Sequence, residues 1–112
     1  MTRYLISFDA GTMAIPEEDL PAVDEAAHAV VRQAQDAGVW VIGGGLASQP
    51  ASIVRTDRSV VDGPFPETKA VIGGFVIVDV PSRDDALEWA TRFAVACRCP
   101  QEVREIMDDP LV

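Results

Sequence analysis

Hydrophobic positions recur along this chain with two periods. In RYLISFD, residues 3 to 9, they alternate: Tyr4, Ile6 and Phe8 fall on one face and Leu5 and Ser7 on the other, the pattern of a first strand. From Asp19 to Ala37 the period lengthens, so that Val23, Ala27, Val30, Val31 and Ala34 share one side of a helix. Pro21 suits its first turn and Gly38 its C-terminal cap. Val39 to Ile42 resumes the strand signal and ends at Gly43-Gly44-Gly45. Ser52 to Thr56 and Ser59 to Asp62 flank Asp57-Arg58 as a hairpin, and Phe75 to Val80 is a continuous strand of the buried type. Ser82 stands three residues before Asp85, a capping-box spacing, ahead of the apolar stripe Ala86, Trp89, Ala90, Phe93 and Cys97 of a second helix. Glu102 to Met107 can close the sheet as an edge strand.

The order strand, helix, strand, hairpin, strand, helix, strand predicts an α+β fold: a ferredoxin-like sandwich, one antiparallel sheet with two helices on one face. A sheet covered on one side leaves the other in need of a partner. The Phe75 to Val80 strand is apolar on both faces and would expose a sizeable patch, so a homodimer joined through the open face is expected.

Length narrows this to a single domain spanning residues 1–112. The 18 acidic and nine basic residues give a formal charge of −9 without long blocks of either sign, which disfavours nucleic acid as a partner. No apolar run approaches the length of a bilayer crossing, and the N-terminal residues lack a secretory pattern, so no membrane association and a cytoplasmic location are expected. Cys97 and Cys99 with one histidine cannot supply a tetrahedral zinc site. They read as packed free thiols.

Few residues offer chemistry. His28, the sole histidine, lies roughly 115° around the helical wheel from the centre of the apolar face. Asp24 stands four residues before it and Arg32 four after, which makes a surface carboxylate–imidazole pair the alternative to a catalytic role. The glycine runs at 43–45 and 73–74 lack the Lys-Ser or Lys-Thr of a phosphate loop, and point to positive φ or to close backbone approach. In DGPFPETK, residues 62–69, two prolines force the chain off the ladder along a restricted path. Phe65 there seeks burial, while Glu67 and Lys69 either face a cavity or form a surface ion pair.

Residues 43–75 carry a resemblance. GGGL, then ASIVRT, then VVDGPFPETKAVIGGF, followed by DALEWA in the second helix, resemble the DGPF branch of the YCII-related family over nearly the whole chain. The resemblance implies a ferredoxin-like domain that pairs into a dimeric α/β barrel with a pocket beside the sheet. It also implies a helix-one histidine, matched by His28. The aspartate that YCII proteins carry after the second helix has no counterpart in Phe93-Ala94-Val95-Ala96-Cys97, which leaves Asp62 as its substitute.

The expectation is a small-molecule enzyme or ligand-binding protein that performs acid–base chemistry on an acidic or carbonyl metabolite, with neither metal nor organic cofactor. His28 and Asp62 are the catalytic candidates. Arg55, Phe65, Glu67 and Lys69 are the substrate-binding candidates, the two cations for an anionic group. The alternative is a non-catalytic interaction domain linked to transcription, since relatives occur fused to sigma factors.

Overall fold

The computed structural model describes residues 1–47, 51–63 and 72–112. Its elements are β1 (Thr2–Asp9), α1 (Leu20–Asp36), β2 (Trp40–Gly45), β3 (Ser52–Val54), β4 (Val60–Asp62), β5 (Ile72–Val80), α2 (Arg83–Cys97) and β6 (Glu102–Glu105), with two short 3-10 turns before α1. Four strands form one sheet in the order β2-β5-β1-β6, every neighbouring pair antiparallel. α1 carries the chain from β1 to β2 with β5 inserted between them, and α2 carries it from β5 to β6 with β1 inserted. This is the split βαβ arrangement of a ferredoxin-like fold.

Local chemistry sets the helix ends. Leu20 and Pro21 open α1, where the missing proline donor costs nothing, and Gly38 at φ +74° follows its last turn. Ser82 caps α2 reciprocally: its hydroxyl accepts from the Asp85 backbone N–H at 3.2 Å and donates to the Asp85 carboxylate at 2.9 Å. Both helices lay their stripes on the same sheet face. Val30 and Ala34 of α1, with Ala86, Trp89, Ala90 and Phe93 of α2, pack on Tyr4, Ile6, Val78 and Val80. Burying each large aliphatic side chain contributes about 1.5–3 kcal/mol, so this single layer carries most of the fold's stability. Val31 only packs partly against it and Ala27 is half-buried, so α1 buries a narrower stripe than its spacing predicts.

Two expectations need correction. The hairpin does not belong to the main sheet: among the described residues β3 and β4 pair only with each other. The turn is also wider than Asp57-Arg58. Arg55 N–H donates to the Ser59 carbonyl at 2.8 Å and Arg58 N–H to the Arg55 carbonyl at 2.9 Å, leaving a three-residue loop in which Arg58 takes φ +72°. Such a loop fits the strand twist where Asp-Arg cannot form the two-residue kind.

The glycines at 43–45 continue β2 instead of ending it, pairing with Val76, Phe75 and Gly74. Of the two explanations open to them, close approach holds at Gly43, where a β-carbon would stand 2.7 Å from the Phe75 carbonyl oxygen. Cys97 and Cys99 are free and buried, as packed thiols. Among the described residues no helix is long and apolar enough to cross a membrane.

Candidate functional site

The sheet face away from the helices is built by strand register. Leu5 stands between Ile77 and Arg104, Ser7 between Phe75 and Glu102, and Arg3 beside Asp79, while Ile42 extends the apolar row from Ile77 to the β2 edge. Leu5, Phe75 and Ile77 are half-buried, and Ile42 remains 55% exposed. The face is thus apolar across its middle and charged at its ends.

A hollow lies at each end. The first, about 300 Å3, sits where β1 finishes and β6 begins. Leu5, Ile72 and Phe8 supply its apolar wall; Ser7, Asp9, Thr12, Gln101, Glu102 and Arg104 supply the polar one. Its floor is ordered by short-range bonds. The Asp9 carboxylate accepts from Gly11 N–H at 2.8 Å, and the Thr12 hydroxyl donates to the Asp9 carbonyl at 2.7 Å. Ser7 is the one buried polar residue among those described, and its hydroxyl donates no hydrogen bond among them. The Arg104 guanidinium touches Glu102 only loosely, at 3.8 Å with both side chains exposed, which leaves its fork available to a ligand. Behind this wall Cys99 meets the Gln101 amide at 3.5 Å. Burial pushes both thiols upward; the Cys97 thiol is raised further by nearby Cys99 and Asp24, whereas bonds from Thr12 and Gln101 partly offset the rise at Cys99. Neither is an activated nucleophile.

The second hollow, about 560 Å3, opens at the other end, floored by Ile42 and Ile77 and rimmed by Arg3, Asp79, Asp108 and Asp109. One Asp79 carboxylate oxygen is buried there without a hydrogen-bond partner among the described residues.

The residues expected from sequence are dispersed. His28 is exposed on α1 and makes no hydrogen bond to Asp24 or Arg32; Arg32 instead pairs with Glu25 at 2.8 Å, so the surface pair joins different residues from those proposed. Arg55 and Asp62 share the hairpin but not one end of it. Asp62 pairs with Ser52 at the base and accepts its hydroxyl proton, whereas Arg55 begins the tip, about 10 Å further along at strand rise. Both are exposed. Phe65, Glu67 and Lys69 lie outside the described residues. Neither hollow of the open face is walled by His28, Arg55 or Asp62.

Sequence reasoning passed over Ser7, Asp9, Thr12, Gln101 and Arg104. One signal was present: Ser7 is the lone small polar residue inside the apolar run of β1, on the face opposite Tyr4 and Ile6. Arg104 was invisible, because its position depends on the register of β6 against β1.

A family model for the YCII-related domain matches residues 3–108. No curated protein matches the chain.

Proposed function

The chain belongs to the YCII-related family, and on that footing we propose that it is a homodimeric small-molecule protein performing cofactor-free acid–base chemistry on an acidic or carbonyl-bearing metabolite. The hollow over Ser7 is its site. The observation that carries this reading is the set of groups lining that one space: a loosely held guanidinium, two hydroxyls, an amide and two carboxylates against an apolar wall. In this reading Arg104 grips the anionic group in two-pronged fashion, Ser7 and Thr12 orient a carbonyl, and the Asp9 carboxylate carries the proton. His28 and Asp62 are the second candidates for the proton, and Arg55, Phe65, Glu67 and Lys69 for ligand contact. Retention of Asp-Gly-Pro-Phe at residues 62–65 favours the DGPF branch, and two unpaired thiols fit the reducing cytoplasm.

A second copy on the open face closes the hollow against water, which strengthens each polar contact inside. Amide NMR titration with short oxo acids, followed by solvent deuterium exchange next to the carbonyl of any binder, tests the reading. Shifts centred on Ser7, Thr12, Gln101 and Arg104, and binding weakened roughly tenfold or more by Arg104→Ala, are expected. Shifts confined to His28 or the hairpin would relocate the site. Binding without deuterium exchange would remove the acid–base step.

A further inference from the structure

Among the described residues, the β3–β4 hairpin is an arm whose strands pair with each other and with no strand of the main sheet. A two-stranded hairpin is marginal in water by itself, yet this one contributes no residue to the hydrophobic core. Its cross-strand pair Val54 and Val60 stands 69% and 60% exposed on one face. The radius of gyration, 15.5 Å, exceeds the about 13 Å of a compact domain of this length. At the tip, Arg55 and Arg58 form no ion pair among the described residues, and Asp57 is held by the Ser59 hydroxyl and N–H at 2.6 and 2.9 Å. The arm therefore presents an apolar pad ending in two guanidiniums, on a chain whose net charge is −9.

The second hollow of the open face is its complement. The exposed Ile42 and the half-buried Ile77 make an apolar floor, and Asp79, Asp108 and Asp109 outnumber Arg3 on the rim. The Asp79 oxygen, unpartnered among the described residues, calls for a donor. A space of about 560 Å3 admits both arginine side chains. The arm leaves the sheet at the Gly45 and Ile72 end, while this hollow lies at the Thr2 and Asp79 end. A two-fold axis lying between two facing sheets, perpendicular to their strands, sets the arm end of each protomer over the acidic end of its partner.

We propose that in the homodimer each arm crosses to the partner, laying Val54 and Val60 on the apolar floor and Arg55 and Arg58 on the carboxylates of the second hollow. The occupant of that hollow is thus a second copy of this chain, in a contact that occurs twice. The inference rests on the homodimer proposed above, and it adds which segments meet.

Sedimentation equilibrium on the full chain separates the two. The doubly substituted Arg55→Glu, Arg58→Asp chain should dimerise about tenfold or more weakly than the parent, and adding Asp108→Lys and Asp109→Lys to the same chain should restore most of that loss. The altered tip is exposed, so circular-dichroism melting of a dilute sample should match the parent and exclude misfolding. A parent dimer whose affinity ignores the arm substitutions overturns the arm placement and leaves the homodimer standing. Weakening without recovery in the charge-exchanged chain overturns the pairing with these carboxylates. A parent chain that stays monomeric removes the homodimer and the arm contact together.

Discussion

Gly73 lies directly against the ring of Phe8. A β-carbon at Gly73 would stand 2.5 Å from that ring and 2.9 Å from the Ala10 backbone, distances no packed structure holds. β1 and the following 3-10 turn approach β5 this closely because the glycine leaves the space. The same contact seats Phe8 in the wall of the Ser7 hollow. Gly73→Ala should therefore destabilise by about 1–3 kcal/mol, the usual cost of overpacking, read as a lower urea midpoint. An unchanged midpoint would mean that the ring moves freely and fixes no wall.

Arg98 ends α2 with φ +56° and bonds Asp19 at the start of α1 at 2.9 Å. Left-handed backbone costs a non-glycine residue about 1 kcal/mol, and an exposed ion pair contributes about 0.2–1 kcal/mol. Arg98→Gly relieves the first and loses the second, so its stability should stay near the parent or rise slightly. Arg98→Ala loses the pair and keeps the strain. The glycine variant should thus exceed the alanine variant by about 1 kcal/mol in chemical denaturation.

Stability should fall on the alkaline side. The Tyr4 phenol is raised by burial, then by the charge of Glu105 and by the 3.4 Å bond its hydroxyl donates there, and both thiols are raised chiefly by burial. Each group keeps its proton longer folded than unfolded, so above the unfolded value the unfolded chain binds fewer protons and gains. The contribution is intact below the ordinary thiol value of 9.0 and is lost as pH rises through it and past the phenol value of 10.0. Tyr4→Phe and Cys97→Ala should each flatten the alkaline limb of a melting-temperature profile. A limb unchanged in both would assign the loss to other groups.

Asp62 is exposed and accepts from the Ser52 hydroxyl. Asparagine keeps an acceptor in that place, so Asp62→Asn should change stability by no more than about 0.5 kcal/mol. A change in ligand turnover by this variant would therefore report on chemistry. Turnover equal to the parent would remove Asp62 from the mechanism and leave Asp9 and His28 as the candidates for the proton.

The fold was legible because its signals are local. Alternation in β1, the Ser82–Asp85 cap, Gly38 beyond α1 and the stripe from Ala86 to Cys97 each fix an element within a few residues. The hairpin was legible as a hairpin, but nothing local tells a strand pair whether to join a neighbouring sheet. The pairing of Ile42 with Ile77 and Phe75 with Ser7 decides that at long range. The site was less legible for the same reason. Ser7, Asp9 and Arg104 meet only through the register of β1 with β6, whereas His28 and Asp62 were conspicuous by residue type and stand on separate, exposed elements.

The half-buried row Leu5, Phe75 and Ile77, running out to the exposed Ile42, is the foundation of the account, since the closed pocket and the crossed arms both require a partner on that face. Sedimentation velocity at micromolar concentration, on the parent and on Ile77→Asp, tests it most directly. The account predicts a parent species of twice 12.0 kDa and a folded Ile77→Asp chain of half that mass. A parent that sediments as a single 12.0 kDa chain, or a dimer indifferent to the aspartate, would contradict it.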